Sequence, residues 1–253
     1  MNYPILEYDD AREAFIEPSK VIKPQDIPEN VVICFFRKVI EKVAKEHNAK
    51  ILTENKWEDG PHPVYEIDYK GQRLAFYHPG IGSALSSGLL EEVIAFGGRT
   101  FIACGGCGVL ERDIAVGNLI VVSGAVRDEG ASYHYLPPSR EIQAQKEVVE
   151  IIESELQAQN VPYRLGKTWT TDAPYRETTK KITNRKAEGC VVVEMEAAGM
   201  MAVAQYRQVQ FGQILYGGDN LSGEEWEHRN WQSKSEIRES LFWLCADVCL
   251  SLK

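Results

Sequence analysis

The chain has 253 residues, of which 44% are hydrophobic and 26% charged, a profile typical of one globular domain and not of a disordered chain. Its formal net charge of −9 offers no basic stripe to a phosphate backbone, so we expect no nucleic acid partner. Uncharged runs are far shorter than the ~20 residues of a membrane span, and the acidic start MNYPILEYDD is unlike a secretory signal, which predicts a cytoplasmic protein without membrane contact.

The first 30 residues carry Pro18, Pro24 and Pro28 among isolated apolar residues. Proline fixes one backbone dihedral and removes an amide donor, which disfavours a regular helix or strand there. We therefore expect residues 1–30 to form an extended arm packed over a single folded domain of residues 31–253.

Beyond the arm, short runs of strand-forming residues alternate with longer segments of helical period. The predicted strands are Val31–Cys34, Ile51–Thr53, Val64–Tyr69, Arg73–Tyr77, Thr100–Cys104, Leu119–Val126, Cys190–Val193 and Gln213–Tyr216. Such alternation predicts an α/β fold: a single domain with a central mixed, largely parallel twisted sheet flanked by helices.

Three helices are indicated by their apolar spacing and their end signals. One starts near Ser83 and ends at Gly97, because glycine is favoured at a helix carboxyl end. Another covers Val148 to Leu156. The last opens at Ser233, where Glu236 three residues later would complete a capping box.

Six cysteines are scattered among apolar stretches, which indicates buried thiols and not a disulfide framework. Cys104 and Cys107 have the C-x-x-C spacing, but no second pair completes a metal-ligand pattern. We expect no metal and no cofactor.

Two glycine-rich segments follow predicted strands, at the sheet edge where α/β proteins bind ligands. Gly80 lies in the first, before a helix, and Gly105 and Gly106 lie in the second. Glycine lets the backbone approach an anion or a sugar, although both segments also fit tight turns without function. Neither has the spacing of a nucleotide P-loop or a dinucleotide fold, which disfavours ATP and NAD chemistry.

Carboxylates follow two further strands. Glu194 and Glu196 stand where an apolar run meets an alanine-rich segment, and a buried carboxylate needs a partner. Arginine partners such as Arg185 and Arg207, or solvent, are the alternative to a ligand. Asp219 follows two glycines and by itself fits a turn or a helix cap as well as a catalyst.

These segments together resemble the nucleoside phosphorylases of the purine nucleoside and uridine phosphorylase type, a family that includes nucleosidases. His78-Pro-Gly-Ile-Gly-Ser83 is similar to the family's glycine turn, and Val193-Glu-Met-Glu-Ala-Ala-Gly199 to its ribose-binding signature. Asp219 lies 23 positions after Glu196, as the base-protonating aspartate does in purine-specific members. The resemblance extends from about Tyr65 to Asn220.

The resemblance implies cleavage of a nucleoside N-glycosidic bond, with roles carried over position by position. Glu196 would accept hydrogen bonds from the ribose hydroxyls, with Met195 packed under the sugar and Glu194 secondary. Asp219 would protonate a purine nitrogen as general acid. Tyr175, in Thr171-Asp-Ala-Pro-Tyr175, is our candidate for the aromatic that stacks on the base, and its neighbour Arg176 for a base hydrogen bond. Arg229, ten residues after Asp219, would either orient that carboxylate or form a surface ion pair.

The chain departs from the family where phosphate binds. The early loop, Ile33-Cys-Phe-Phe-Arg37, lacks the family's glycine, so only Arg37 corresponds to an expected phosphate ligand, and Ala103 stands where a second arginine is expected. Arg37 and Arg127 are our phosphate candidates, and Arg73 and Arg176 are further replacements. Because these donors differ from the family's, a hydrolytic nucleosidase is the alternative to a phosphorylase, and a non-catalytic nucleoside-binding protein is the third possibility. The resemblance also implies a homo-oligomer, from a dimer to a hexamer.

Overall fold

The computed structural model describes residues 3–252. Its strands are β1 (Asn30–Cys34), β2 (Lys50–Trp57), β3 (Gly60–Tyr69), β4 (Gln72–Tyr77), β5 (Thr100–Val109), β6 (Leu119–Asp128), β7 (Glu141–Gln143), β8 (Tyr163–Thr171), β9 (Cys190–Glu194) and β10 (Gln210–Asn220). Its α-helices are α1 (Pro18–Val21), α2 (Arg37–Glu46), α3 (Ser83–Phe96), α4 (Lys146–Ala158), α5 (Thr179–Ala187), α6 (Ala197–Arg207) and α7 (Ser235–Ser251).

All ten strands belong to one mixed sheet, which confirms the predicted fold class. The strand β5 pairs with three others: in parallel with β1 and β10, and antiparallel with β9 at its carboxyl end. Parallel pairings also join β1 to β4, β6 to β8 and β8 to β9. The carboxyl ends of β5, β9 and β10 therefore lie close together.

Helices cover both faces of the sheet. The apolar side chains of α3 and α6 share one buried cluster with alternate residues of the strands. Those of α2, α4 and α7 share a second cluster on the opposite face. This two-sided burial explains why the central strands consist of nearly continuous apolar runs.

Each of the eight predicted strands lies within an observed one, but β7 and β8 were missed. Gly166 and Lys167 interrupt the apolar pattern of β8, so periodicity gave no signal there. The helix α2 was also missed, although Val39, Ile40 and Val43 mark a buried apolar face. By contrast, α3 starts at Ser83 and its last turn is closed at Gly97, as predicted.

The second glycine-rich segment was expected to be a turn, and this was wrong. Gly105 and Gly106 lie inside β5, which continues to Val109. Glycine is depleted in strands because it packs no side chain, but here neighbouring rings use the space. A Cβ on Gly106 would lie 2.8 Å from the Trp231 ring.

The capping box predicted for the last helix is also wrong. The helix α7 begins at Ser235, and its cap residue, Lys234, makes no side-chain capping bond. Ser233 belongs to a preceding 3-10 turn and donates its hydroxyl to the Asn230 carbonyl, at 2.8 Å. The turn competes for the same hydroxyl that a capping box would use.

The segment before β1 contains a 3-10 turn at Pro4–Leu6 and the short helix α1, and it contacts α3 and α6. Arg207 of α6 bonds both Glu17, at 2.7 Å, and Glu91 of α3, at 2.7 Å. Arg207 is therefore not a partner of Glu194 or Glu196.

All six cysteines are buried free thiols, as expected from their apolar surroundings. Among residues 3–252, no helix is long and apolar enough to cross a membrane.

Candidate active site

A cavity of about 530 Å³ opens where β5, β9 and β10 end. It is lined by seven of the residues singled out in the sequence: Arg37, Gly105, Gly106, Glu194, Met195, Glu196 and Asp219. Side chains from segments far apart in the chain thus face one space, at the sheet edge where α/β proteins bind ligands.

Glu194, the last residue of β9, accepts four hydrogen bonds. Its Oε2 accepts the backbone N–H groups of Glu196 and Ala197, each at 2.6 Å. Its Oε1 accepts the hydroxyls of Thr170, at 2.6 Å, and Thr168, at 3.3 Å. Burial raises the pKa of the Glu194 carboxyl, while these donors oppose that rise. Since the backbone donors stand at the start of α6, the carboxylate fixes the turn from strand to helix.

Glu196 accepts fewer hydrogen bonds than Glu194, so its carboxyl group can accept further ones from a ligand. Its Oε1 accepts the Gly82 N–H at 2.6 Å, and the side chain is only 6% exposed. Gly82 has φ +87°, a conformation that favours glycine, so the first glycine turn is shaped to meet this carboxyl. Burial, followed by the charge of Glu194, raises the pKa of Glu196 to about 8. Arg185, the other arginine considered as a partner, pairs with Glu188 instead.

Asp219 approaches the same cavity from β10. Its Oδ2 accepts the indole N–H of Trp226 at 2.6 Å, while Oδ1 lies 3.7 Å from where a Cβ on Gly108 would stand. Arg229 is directed elsewhere: it donates to the Ile114 carbonyl at 2.8 Å and pairs with Glu227 at 3.4 Å. Of the two alternatives for Arg229, the ion pair is the one observed.

Glu177, which sequence reasoning missed, lines the cavity beside Asp219. Burial, followed by the Asp219 charge, raises the pKa of Glu177 to about 7. A 3-10 turn over Pro174–Arg176 brings Pro174 and Glu177 to the cavity and directs Tyr175 outward, where it is 99% exposed. Arg176 is exposed as well. The segment chosen from the sequence reaches the cavity through Pro174 and Glu177, whereas Tyr175 and Arg176, the residues predicted from it, do not line the cavity.

Basic side chains line the cavity near the start of α2. Arg37 was predicted there, whereas Lys38 and Arg238 were not. Arg238 donates from Nε to the Tyr216 hydroxyl at 2.9 Å, and its guanidinium lies 4.9 Å from the Phe36 ring centroid. Because α7 is about 190 residues away from α2 in the sequence, only the tertiary structure brings Arg238 to the part of the cavity lined by Arg37 and Lys38.

Besides Tyr175 and Arg176, three predicted residues lie away from the cavity: Arg127, Gly80 and Arg73. Arg127 is buried, and its guanidinium donates to the Ser132 hydroxyl at 2.8 Å, the Pro137 carbonyl at 2.8 Å and the Ser139 hydroxyl at 2.7 Å. Arg127 therefore stabilises its own loop, and its predicted place at a phosphate site is wrong.

Gly80 does not line the cavity either. A Cβ on Gly80 would lie 2.2 Å from Leu85 Cδ2, so the turn requires a glycine at this position. Arg73 pairs with Asp26 and Glu66 on the surface.

Gln213 is a further lining residue that the sequence did not reveal. It is 1% exposed, and its Oε1 has no hydrogen-bond partner among residues 3–252. It stands in register with Ala103 on the neighbouring strand. A buried carboxamide without a partner is unfavourable unless a ligand or water meets it.

No group of three or more His, Cys, Asp or Glu side chains within residues 3–252 is placed to hold a metal ion.

Comparison with known proteins gives a family and a fold. The model of the family described as "Phosphorylase superfamily" matches residues 30–242. The chain is 26% identical over 210 residues to a guanosine phosphorylase of Halorubrum lacusprofundi, covering 81% of this chain and 84% of the relative. It is 29% identical over 153 residues to a purine nucleoside phosphorylase of Plasmodium falciparum, covering 59% of this chain and 62% of the relative.

Two solved structures are similar in fold. A uridine phosphorylase from Vibrio fischeri has a TM-score of 0.74 at 24% identity, covering 92% of this chain and 97% of the other. An AMP nucleosidase from Bacteroides thetaiotaomicron has a TM-score of 0.71 at 21% identity, covering 88% and 87%.

Proposed function

The chain belongs to the phosphorylase superfamily, and we propose that it is a nucleoside phosphorylase. It would cleave the N-glycosidic bond of a purine nucleoside or uridine with phosphate, giving the free base and a (deoxy)ribose 1-phosphate. The observation that carries the proposal is one cavity that presents three chemically distinct ends. We name them the sugar end (Glu194, Met195 and Glu196), the base end (Pro174, Glu177 and Asp219) and the phosphate end (Arg37, Lys38 and Arg238).

At the sugar end, the reaction needs negative charge close to the ribose. As the bond to the base breaks, the ribosyl group acquires oxocarbenium character. Glu196 accepts the ribose 2′ and 3′ hydroxyls and faces the developing positive charge, and Met195 packs against the sugar. Glu194 is already occupied by backbone and threonine donors, so its role is to hold Glu196 in position.

At the base end, Asp219 gives a proton to a purine ring nitrogen, and the electron pair of the C–N bond leaves with the base. Glu177 is close enough to Asp219 for the two charges to influence each other. A base between them meets a group that donates a proton and a second carboxyl that can bind ring N–H groups.

At the phosphate end, Arg37, Lys38 and Arg238 supply the positive charge that a phosphate dianion needs. These residues stand in place of the arginine that the family resemblance places at Ala103. Phosphate enters as co-substrate, and this reaction scheme assigns no step to a cofactor.

Hydrolysis is the second candidate function, and Gln213 is the observation that favours it. Its unpartnered Oε1 is an acceptor, which matches a water O–H better than the unprotonated oxygens of phosphate. A water held there would replace phosphate as nucleophile.

The deciding experiment supplies purified protein with inosine, guanosine, adenosine, uridine and methylthioadenosine, with and without phosphate, and measures free base. We expect base release that requires phosphate and yields a pentose 1-phosphate. Release at the same rate without phosphate identifies a nucleosidase. Saturable binding with no release from any nucleoside identifies a binding protein and contradicts both enzymatic proposals.

We also infer a homo-oligomer, from a dimer to a hexamer. Phe15, Ile16 and Val21 of the amino-terminal segment are 107%, 73% and 65% exposed, and exposed apolar clusters favour protein contacts. A sedimentation mass of one chain at micromolar concentration would contradict it.

A further inference from the structure

Asp219 is held by the side chain of a tryptophan. Within residues 3–252, its only hydrogen bond from another side chain comes from Trp226 Nε1, at 2.6 Å from Oδ2. Trp226 is 61% exposed, in the segment that follows β10, and its ring meets the His228 ring edge to face at 5.5 Å. An exposed indole is not fixed by core packing, so the bond to Asp219 is the specific contact of this side chain.

An indole N–H can only donate, and it keeps its proton at every physiological pH. The carbonyl oxygen of a protonated carboxyl group is a stronger acceptor than its hydroxyl oxygen, so the bond from Trp226 favours Oδ2 as the carbonyl oxygen. The acidic proton of Asp219 is left to Oδ1. This oxygen stands beside Gly108, which lines the cavity.

We propose that Trp226 is a positioning residue for the cleavage reaction: its indole N–H fixes Oδ2 of Asp219 so that Oδ1 presents the transferable proton to the base. This inference rests on the proposed function. In the step itself, the Oδ1 proton moves to the base nitrogen while the C–N electron pair goes to the base. The phosphate oxygen bonds to the sugar carbon, and Asp219 becomes a carboxylate.

The indole bond becomes stronger during this step. A hydrogen bond to an ionised acceptor is about twice as strong as one to a neutral acceptor. As negative charge develops on Asp219, Trp226 therefore stabilises the transition state more than the ground state, which is the condition for raising the turnover rate.

A neutral donor also suits an acid better than a cation does. An arginine or lysine beside Asp219 would favour the ionised carboxylate, which has no proton to give to the base. The nearby cations bind elsewhere: Arg229 donates to Ile114, and Lys181 pairs with Asp128 at 3.1 Å. Within the described part of the chain, Asp219 is thus oriented without a cationic hydrogen-bond partner.

The test compares Trp226→Phe with the parent enzyme on inosine and on 7-methylinosine. Methylation places a positive charge on the N7 nitrogen, so the leaving base needs no proton there. We expect kcat for inosine to fall roughly 10- to 100-fold, the range for one hydrogen bond to a charged group, with a small change in KM. Turnover of 7-methylinosine should fall by less than about threefold, because no proton transfer depends on Asp219.

The matched control is Trp57→Phe. Trp57 is also partly exposed, at 40%, and its indole donates to a carboxylate, Glu92, at 3.0 Å, but it does not line the cavity. This variant should keep parental rates on both nucleosides.

A second measurement separates orientation from damage. In the Asp219→Asn background, Trp226→Phe should cause no further loss on inosine, because the two residues act in one step. Equal losses on inosine and 7-methylinosine, or additive losses in the double variant, would overturn the inference while leaving the proposed function intact. Failure of the parent to release base from any nucleoside would refute the proposed function itself.

Discussion

The sugar end and the base end of the cavity each present a pair of carboxyl groups, and the two pairs are held in opposite ways. Glu194 and Glu196 accept backbone N–H groups from the β9–α6 junction and from the first glycine turn. Asp219 is held by one side chain, and Glu177 accepts no hydrogen bond within residues 3–252. The carboxyl groups of the sugar end are thus held by the backbone, whereas at the base end Asp219 comes from β10 but is held by Trp226 of a connecting segment, and Glu177 follows a 3-10 turn.

In the proposed reaction, this difference corresponds to two requirements: binding a sugar and binding a base. Every nucleoside offers a similar sugar, so a rigid, backbone-built site suits it. Bases differ, and the base-end residues outside the strands, Pro174, Glu177 and Trp226, can change without disturbing the sheet. We therefore expect substitution of Glu194, which accepts N–H groups of the β9–α6 junction, to lower stability as well as turnover, and substitution of Asp219 to change turnover and base preference with little effect on stability.

The largest effect is expected at the base end, for Asp219→Asn. The amide keeps the size of the side chain but has no transferable proton, so inosine turnover should fall roughly 10²- to 10⁴-fold. Uridine should be affected less, since uracil has no equivalent ring nitrogen to protonate. Asp113→Asn, at an aspartate whose side chain is 74% exposed, is the control. Unchanged inosine turnover would exclude Asp219 as the acid.

At the sugar end, Glu196→Gln should lower turnover by roughly 10²- to 10³-fold, the range for removing one electrostatic contact to the transition state. Its thermal stability should stay near that of the parent, because a carboxyl whose pKa is raised to about 8 is mostly protonated at pH 7 and resembles the amide. If the carboxylate is the active form, parental kcat/KM rises with pH toward 8, and this rise disappears in the variant. Near-parental turnover on every nucleoside would contradict the ribose assignment.

Also at the sugar end, Glu194→Gln should lower stability more than Glu196→Gln does. An amide at this position turns an NH₂ group toward the backbone and threonine donors that now meet the carboxylate. We expect a loss of about 1–3 kcal/mol in the free energy of unfolding, as for a buried bond left unmade. Denaturant titration at pH 7 measures it, and equal stability of the two variants would remove the proposed distinction between the paired glutamates.

At the base end, Glu177→Gln tests a pH dependence of stability. The pKa of this carboxyl is about 7 in the folded protein, above the ordinary 4.5, so the folded state binds more protons between those values. Its contribution to stability is complete below pH 4.5 and is lost as pH rises through 7. The Tm of the variant minus the Tm of the parent should therefore be larger at pH 8 than at pH 5. A constant difference across this range would contradict the raised pKa.

The smallest effect is expected for Tyr175→Ala. A side chain that is 99% exposed and outside the cavity should alter kcat/KM by less than about twofold. A tenfold loss of base binding would restore Tyr175 as the stacking residue, either after movement of its turn or by contact with a neighbouring copy of the chain.

The fold class could be predicted from the sequence because its signals are local, and the sugar end was predicted from a family resemblance carried by one short motif. Alternating apolar runs define the strands, and Val193-Glu-Met-Glu-Ala-Ala-Gly199 places two carboxylates at a single strand-to-helix junction. Burial of such a junction requires donors, and a helix start supplies them. In the structure Glu194, Met195 and Glu196 line one cavity, and their sugar-binding role stays a prediction.

The other two ends were decided by tertiary structure. Arg238 reaches the cavity from α7, Trp226 replaces Arg229 as the partner of Asp219, and a 3-10 turn selects Glu177 over Tyr175. Arg127 had the right charge, but the carbonyls and hydroxyls of its own loop satisfy it first. Composition and periodicity determine which residues are buried and in which element. Packing between segments that are distant in the chain then decides which polar side chains come into contact. A local sequence pattern cannot predict these contacts.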